Sequence, residues 1–280
     1  MSADALRGEG GAYVPCFELA APLPPLPAGA IVGQAAGFVA KDEEAAALPG
    51  LPFGAIRGSG VGFVPKPCLP CVLIAGGNLK LTQSEDAIIW TLQTSGFETS
   101  TISRATWSPQ LGIFVIVGGT NATIATSPDG VTWTQRVNTF SAGITIYDVV
   151  WSSALGLFVA VAAADELATS PDGVTWTRRV ANLSGHNMRC VEWSADLGLF
   201  VVGGDSGTLT TSPDGVTWTP RSPGFGTESV YDVAWAPSLG RFVIVGSLGK
   251  LATSPNGIAW TPRTSGFGST TIWAVATSCV

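Results

Sequence analysis

The chain has 280 residues, of which 46% are hydrophobic and only 12% are charged, with 35 glycines and a formal net charge of −6. Many glycines and few charged side chains favour short strands with tight turns over solvated helices, so we expect an all-β protein. The acidic balance and the scatter of Lys and Arg along the chain exclude the basic surface that nucleic-acid binding requires.

Residues 1–70 carry a short repeat rich in Gly, Pro and Ala. Leu23–Ala40 recurs 25 residues later as Leu48–Pro65, and Gly8–Pro15 matches Gly58–Pro65. Each copy predicts a small β-hairpin, with an apolar pair, a Gly-rich turn and a second apolar strand. A single hairpin is not stable alone, so we interpret the segment as an attachment arm whose core is completed by other chains. The alternative is a disordered linker.

The N-terminus lacks the basic segment and apolar run of a secretory signal, and no stretch reaches the length of a membrane span. We therefore expect synthesis in a cytoplasm without export, and no insertion into a membrane.

A longer repeat fills residues 71–280. Copies of a Ser-Pro-Asp-Gly-Val-Thr-Trp segment, two of them altered, begin at serines spaced 43, 43, 42 and 42 residues apart, namely Ser84, Ser127, Ser170, Ser212 and Ser254. This period is the length of a four-stranded β-propeller blade, so five copies predict five blades. In the last copy the strands are expected at residues 230–235, 241–246, 250–254 and 259–263, with turn residues between them.

The chain ends predict how the ring closes. Ile272–Val280 aligns with Val230–Ser238, the innermost strand of the preceding blade, but no further blade follows it. The first blade, which begins near Val72, has no innermost strand of its own. We therefore expect the C-terminal segment to complete the first blade, which removes the exposed sheet edges.

The turn segments resemble the Asp-box repeats of sialidase-like propellers, with one residue fewer between Asp129 and Trp133. In that family the box is a fold element, which implies structural roles for Asp129, Asp172 and Asp214. The hairpin repeat of residues 8–65 resembles short β-repeats in the fibre and collar proteins of tailed bacteriophages. That second resemblance implies a virion protein whose arm contacts other virion proteins and forms a homo-oligomer, with a trimer favoured.

Catalytic chemistry finds little support in the sequence. His186 is the sole histidine, so a Ser-His-Asp or Cys-His arrangement would have to use it. Charged residues do fall on predicted innermost strands, but they show no glycosidase or sialidase pattern: Arg104, Asp148, Arg189, Glu192 and Asp232. Three of these, Arg104, Asp148 and Asp232, align at one position and are expected to line the central channel. We predict no enzyme activity, no cofactor and no metal site.

The loops that join consecutive blades are the candidate ligand surface. Four of them carry a Phe among Gly, Ser and Thr, and a fifth carries a His-Asn pair; the candidates are Phe97, Phe140, His186, Asn187, Phe225 and Phe267. An apolar face beside short hydrogen-bonding groups suits sugar rings. The alternative is that each Phe caps its own blade.

Three hypotheses for function follow. The first is a virion-surface attachment protein such as a tail fibre, collar or head spike, whose propeller binds a cell-surface glycan through repeated weak sites. The second is a structural decoration of the particle without a receptor. The third is a glycan-degrading enzyme, which the fold permits.

A disulfide between Cys279 and either Cys68 or Cys71 is one prediction of ring closure, because the alignment brings both ends of the propeller together. Closing a loop of roughly 210 residues contributes about 4–5 kcal/mol in the chain-entropy model. Mass spectrometry after alkylation should then show Cys279 blocked until a reductant is added. Alkylation of all three thiols without reductant would show free cysteines instead.

Overall fold

The computed structural model describes residues 72–77, 80–97, 101–181 and 183–277. The chain divides into two units, Met1–Cys71 and Val72–Val280. The predicted arm, the three cysteines of the proposed disulfide and the last three residues lie outside the described part of the chain.

In the described part of the chain, nineteen strands form five antiparallel sheets in chain order. Blade 1 has three strands, β1 (Leu73–Gly77), β2 (Lys80–Ser84) and β3 (Thr91–Gln93). Blade 2 has four strands, β4 (Ile102–Ser108), β5 (Ile113–Gly118), β6 (Thr123–Ser127) and β7 (Thr134–Arg136). Blade 3 has β8 (Ile146–Ser152), β9 (Leu157–Ala162), β10 (Glu166–Ser170) and β11 (Thr177–Val180).

Blade 4 has β12 (Met188–Ser194), β13 (Leu199–Gly204), β14 (Leu209–Ser212) and β15 (Thr219–Arg221). Blade 5 has β16 (Val230–Ala236), β17 (Arg241–Gly246), β18 (Leu251–Ser254) and β19 (Thr261–Arg263). Three 3-10 turns lie at Asp205–Gly207, Pro237–Leu239 and Ser247–Gly249. No helix within the described ranges is long and apolar enough to cross a membrane. The all-β, five-bladed propeller predicted from the repeat is confirmed.

The fourth strand of blade 5 begins at Thr261, two residues later than expected. The side chain of Asn256 accepts hydrogen bonds from the N–H groups of Ile258 and Ala259 at 3.0 Å each, and the indole of Trp260 donates to the carbonyl of Gly257. These bonds keep residues 258–260 in the turn. The turn residues therefore delay the start of the strand.

The Asp or Asn of each repeat turn organises the turn itself. Asp129 accepts the N–H groups of Val131 and Thr132 at 2.9 and 2.7 Å, and the hydroxyl of Ser127. Among these donors, the N–H of Thr132 contributes most to lowering the pKa of Asp129 to about 2. Asp172 and Asp214 make the same bonds in their turns. These contacts are those of a turn-stabilising residue.

In the turns of blades 2 to 5, a glycine allows the preceding blade to approach closely. Gly173 adopts φ +72°, and a Cβ at this position would lie 3.0 Å from Ile113 and 3.2 Å from Val115 in the preceding blade. Gly215 stands in the same relation to Leu157 of blade 3. A side chain at either position would be strained by the left-handed backbone and would push two blades apart.

The apolar core lies between blades. Four clusters of buried side chains each combine residues of two consecutive blades, from the pair 1–2 through the pair 4–5. Within each of blades 2 to 5, a Phe of the second strand packs between two Trp rings, as Phe158 does between Trp151 and Trp176 with centroid distances of 4.4 and 6.3 Å. Aromatic burial of this kind provides much of the packing energy.

The C-terminal segment lies beside blade 5, where the innermost strand of a following blade is expected. Ile272 donates its N–H to the carbonyl of Gly246, and Val275 donates to the carboxylate of Asp232 at 2.8 Å. Val191 donates to Asp148 in the same way at the junction of blades 3 and 4. Within residues 72–277, blade 1 has three strands, so the pairing of this segment with β1 stays a prediction.

A buried indole without a partner reveals one departure from the repeat. The indoles of Trp151 and Trp235 donate to Gln110 and Asp196 in the preceding blade at 2.8 and 2.9 Å. The equivalent indole, Trp193 Nε1, is buried and has no hydrogen-bond partner. The alignment places Ala154 where Gln110 and Asp196 stand, so no side-chain acceptor is present.

We expect Ala154→Gln to raise the free energy of unfolding by about 1 kcal/mol, because it supplies the missing acceptor to a buried donor. Urea denaturation of the full chain measures the effect. Ala154→Leu adds a side chain of similar size without an acceptor and should not stabilise. Equal stability of the Gln and Leu variants would show that the indole is satisfied in another way.

Candidate functional site at the central channel

Each innermost strand of blades 2 to 5 carries a β-bulge near its start. The register shifts between Ile102 and Arg104, and at the equivalent positions of β8, β12 and β16. Bulges re-aim side chains, and here the same two positions are affected in every blade. The bulged residue lies near the start of the innermost strand, at the mouth of the central channel, and in blades 2, 3 and 5 the residue after it lines the channel. The bulged residues are Ser103, Tyr147, Arg189 and Tyr231; those that follow them are Arg104, Asp148, Cys190 and Asp232.

The channel encloses about 310 Å³ and contains an ion-pair cluster. The Nε of Arg104 lies 2.8 Å from Oδ1 of Asp148, and its Nη2 lies 3.7 Å from Oδ1 of Asp232. The attraction of Asp148 raises the pKa of Arg104. The three side chains that the sequence aligned at one position therefore meet in the channel, as expected from their register.

Asp148 is buried and joins two blades. Its Oδ1 also accepts the N–H of Val149, and its Oδ2 accepts the N–H of Val191 from the next blade at 2.9 Å. Burial raises the pKa of Asp148, while Arg104 and the backbone N–H groups oppose that change. Asp232 makes the equivalent pair of bonds, to Val233 in its own strand and Val275 in the C-terminal segment. Asp148 therefore links two consecutive innermost strands, and Asp232 links β16 to the C-terminal segment.

The pKa values of two further groups at or near the channel, Glu192 and Cys190, are raised. Burial first, and then the negative charges of Asp148 and Asp232, raise the pKa of Glu192 to about 8. Cys190 takes the position of the two aspartates in blade 4, and burial raises the pKa of its thiol. It is a free cysteine and is inert as a nucleophile when protonated. No group of three or more His, Cys, Asp and Glu within the described ranges is arranged to hold a metal ion.

The Phe residues of the blade-connecting loops occupy equivalent positions in the repeat, but they differ in burial. Phe97 and Phe225 are buried, with 1% and 3% of their surface exposed, and Phe140 is half-buried. Leu183 holds the fifth equivalent position and is also buried. These residues cap their blades, as the alternative interpretation holds, because their side chains pack into the inter-blade clusters. Phe267 differs, since 52% of its surface is exposed.

His186 and Asn187 lie half-buried in the loop between blades 3 and 4. The carbonyl of His186 accepts the N–H of Asp165, and the side chain of Asn187 accepts from Ala164 and donates to Asp205 at 2.8 Å. Asn187 is therefore engaged in holding the loop. The backbone of His186 also holds this loop, while its ring makes no hydrogen bond to the described residues.

A row of side chains at the channel mouth was not anticipated as a site. The guanidinium carbon of Arg189 lies 4.5 Å from the ring centroid of Tyr147, and the rings of Tyr231 and Trp273 lie 4.5 Å apart. These four residues, Tyr147, Arg189, Tyr231 and Trp273, are here named the mouth row. The sequence contained the signal, because all four align one position before the channel-lining residues, but only Arg189 was singled out.

Glu192 provides a pH-dependent test of the channel. Its raised pKa means that the folded protein holds a proton that the unfolded chain releases above its ordinary pKa of 4.5, so stability falls as the pH rises from about 4.5 to 8. We expect Glu192→Gln to remove this loss, which has a slope of at most about 1.4 kcal/mol per pH unit. Urea denaturation at pH 4 to 8 should show converging stabilities at pH 4 and a more stable variant at pH 8. Parallel curves would contradict this account.

Comparison with known proteins supports the fold. YCF48 bound to D1 peptide has a TM-score of 0.55 and 16% identity over 72% of this chain, which spans only 66% of that chain. The nidogen/laminin complex gives 0.54 and 13% over 74% of this chain and 82% of that one. YCF48 from Cyanidioschyzon merolae gives 0.49 and 14%, covering 66% of each chain. No protein-family model and no curated protein matches the sequence. At these identities the likeness is one of fold, the β-propeller.

Proposed function

We propose that the chain is a virion-associated attachment protein, such as a tail fibre, collar or head spike component. Its propeller, residues 71–280, binds a host-surface glycan without cleaving it. Residues 1–70 dock to other virion proteins at the particle surface and form a homo-oligomer, with a trimer favoured. The arm's part of the proposal rests on the sequence resemblance to bacteriophage fibre and collar repeats.

One observation supports a binding role over a catalytic one: the channel carboxylates are already engaged. A glycosidase needs a protonated acid beside a second carboxylate that is available as base or nucleophile. Glu192 has the raised pKa of an acid. Asp148 and Asp232, however, are bonded to Arg104 and to backbone N–H groups of two strands each. The geometry supports a rigid scaffold more than an acid–base pair.

The repeat turns support the same conclusion. The resemblance to Asp-box repeats implies structural aspartates, and Asp129, Asp172 and Asp214 are occupied by the N–H groups of their own turns. A sialidase-like activity would need an arginine cluster beside a Tyr/Glu pair. The two arginines are instead paired with different aspartates, Arg104 with Asp148 and Arg189 with Asp205.

Two alternative functions each have one supporting observation. A structural decoration protein is favoured by the burial of Phe97 and Phe225, which removes two rings from the loop surface. A polypeptide ligand is favoured by analogy, since the structures of both YCF48 and nidogen include a polypeptide partner.

An array of immobilised bacterial surface polysaccharides, probed with the full chain, tests the proposed function. We expect retention of at least one polysaccharide and no release of reducing ends during incubation, because the channel lacks an available nucleophile. Labelling of purified particles with antibody should place the protein on the virion surface.

Three results would contradict the proposal. Silence across the array, with the protein present on particles, would indicate a decoration protein. Release of reducing ends that Glu192→Gln abolishes would indicate an enzyme. Absence of the protein from purified particles would reject the virion role.

A further inference from the structure

The mouth row forms a continuous surface across three blade junctions. Arg189 lies over the ring of Tyr147 at 4.5 Å, which joins blades 3 and 4. Tyr147, Arg189 and Tyr231 are the bulged residues of three successive innermost strands, so Tyr231 is the next member of the series after Arg189. Tyr231 in turn contacts Trp273 at 4.5 Å with an angle of 36° between their rings. Four planar groups therefore follow one another along the rim of the channel.

The row is held in place by contacts beneath it. Arg189 donates to both carboxylate oxygens of Asp205, from Nε at 2.8 Å and from Nη2 at 2.9 Å. Asp205 is itself fixed by Asn187, which donates to it at 2.8 Å. Trp273 lies between Ile272 and Val275, whose N–H groups are bonded to blade 5. A surface that is already ordered loses little entropy when a ligand binds.

Much of the row is open to solvent. Trp273 exposes 69% of its surface, while Tyr147, Arg189 and Tyr231 are half-buried. Short polar residues stand two positions before each member of the row and at the matching place in blade 2, namely Thr101, Thr145, Asn187, Ser229 and Thr271. Aromatic faces bordered by short hydroxyl side chains, such as those of Thr145 and Thr271, offer stacking and hydrogen bonds together. This combination suits the ring of a sugar, which has an apolar face and hydroxyl groups at its edge.

We propose that the mouth row is the glycan-binding site and that its ligand is a neutral polysaccharide. This inference rests on the proposed function and specifies its site and substrate class. Sugar rings lie on Trp273 and Tyr231, and the guanidinium N–H groups of Arg189 that Asp205 does not occupy donate to sugar hydroxyls.

The electrostatics of the row favour a neutral ligand. The charge of Arg189 is matched by Asp205 in a two-bond ion pair. The channel below the mouth holds two aspartates against Arg104 alone, and the whole chain carries a net charge of −6. An acidic polysaccharide would meet this negative field, and Arg189 offsets it little because its charge is already matched by Asp205.

Affinity electrophoresis of the full chain tests the site. Retardation is measured in gels that contain a neutral polysaccharide, dextran or yeast mannan, or an acidic one, polygalacturonate. We expect retardation by at least one neutral polymer, unchanged by 0.5 M NaCl, and none by polygalacturonate. Trp273→Ala should weaken that binding about tenfold, because central aromatic residues often account for more than 1 kcal/mol of binding.

Matched variants separate loss of the site from loss of the fold. Leu239→Ala removes an apolar side chain of 70% exposure in the turn at the opposite end of β16, and should bind as the wild type does. Trp273→Tyr keeps an aromatic face and should retain most of the affinity. Thermal unfolding of each variant reports whether the fold is intact.

The site and the proposed function fail in different ways. Wild-type binding to a neutral polymer that survives Trp273→Ala and Tyr147→Ala would overturn the mouth row while leaving the glycan-binding function standing. Binding to polygalacturonate, lost in 0.5 M NaCl, would overturn the neutral ligand. No retardation by these polymers, together with silence of the polysaccharide array, would overturn both proposals.

Discussion

Contact between consecutive sheets is the constraint on which this structure depends, because no backbone ladder passes from one four-stranded blade to the next. Side chains must therefore join the blades. The apolar clusters lie between sheets, and the turn glycines, such as Gly173, allow those sheets to approach to van der Waals distance. Close packing of this kind tolerates little change in volume, which explains why the turn sequence is repeated so faithfully.

The channel shows how polar side chains take part in the same joining. Asp148 and Asp232 each accept an N–H group from their own strand and another from the following segment. A buried carboxylate is stable only when such donors surround it. Arg104 then neutralises part of the charge, and Cys190 avoids adding a third carboxylate at the equivalent place in blade 4. The polar centre of the molecule thus helps to hold consecutive blades together.

Departures from the repeat are where distinct properties arise. Ala154 leaves the indole of Trp193 without its acceptor, and Leu183 replaces the Phe of the other loops. Arg189 and Ser103 interrupt the aromatic residues at the channel mouth, and Asp205 is the residue that holds Arg189 in place. A strict repeat would present five equal positions. The variations make the rim of this propeller asymmetric.

The sequence by itself determined the number of blades, the order of strands, the turns and the alignment of Arg104, Asp148 and Asp232, because these depend on spacing and local turn chemistry. It could not decide which aligned residues are buried, since burial depends on the neighbouring blade. Phe97, Phe225 and Phe267 are equivalent in sequence, yet the first two are buried between blades and the third is exposed. The mouth row likewise depends on the tertiary structure. Its members are about 42 residues apart in the sequence, and the bulges and the packing of the blades bring them together.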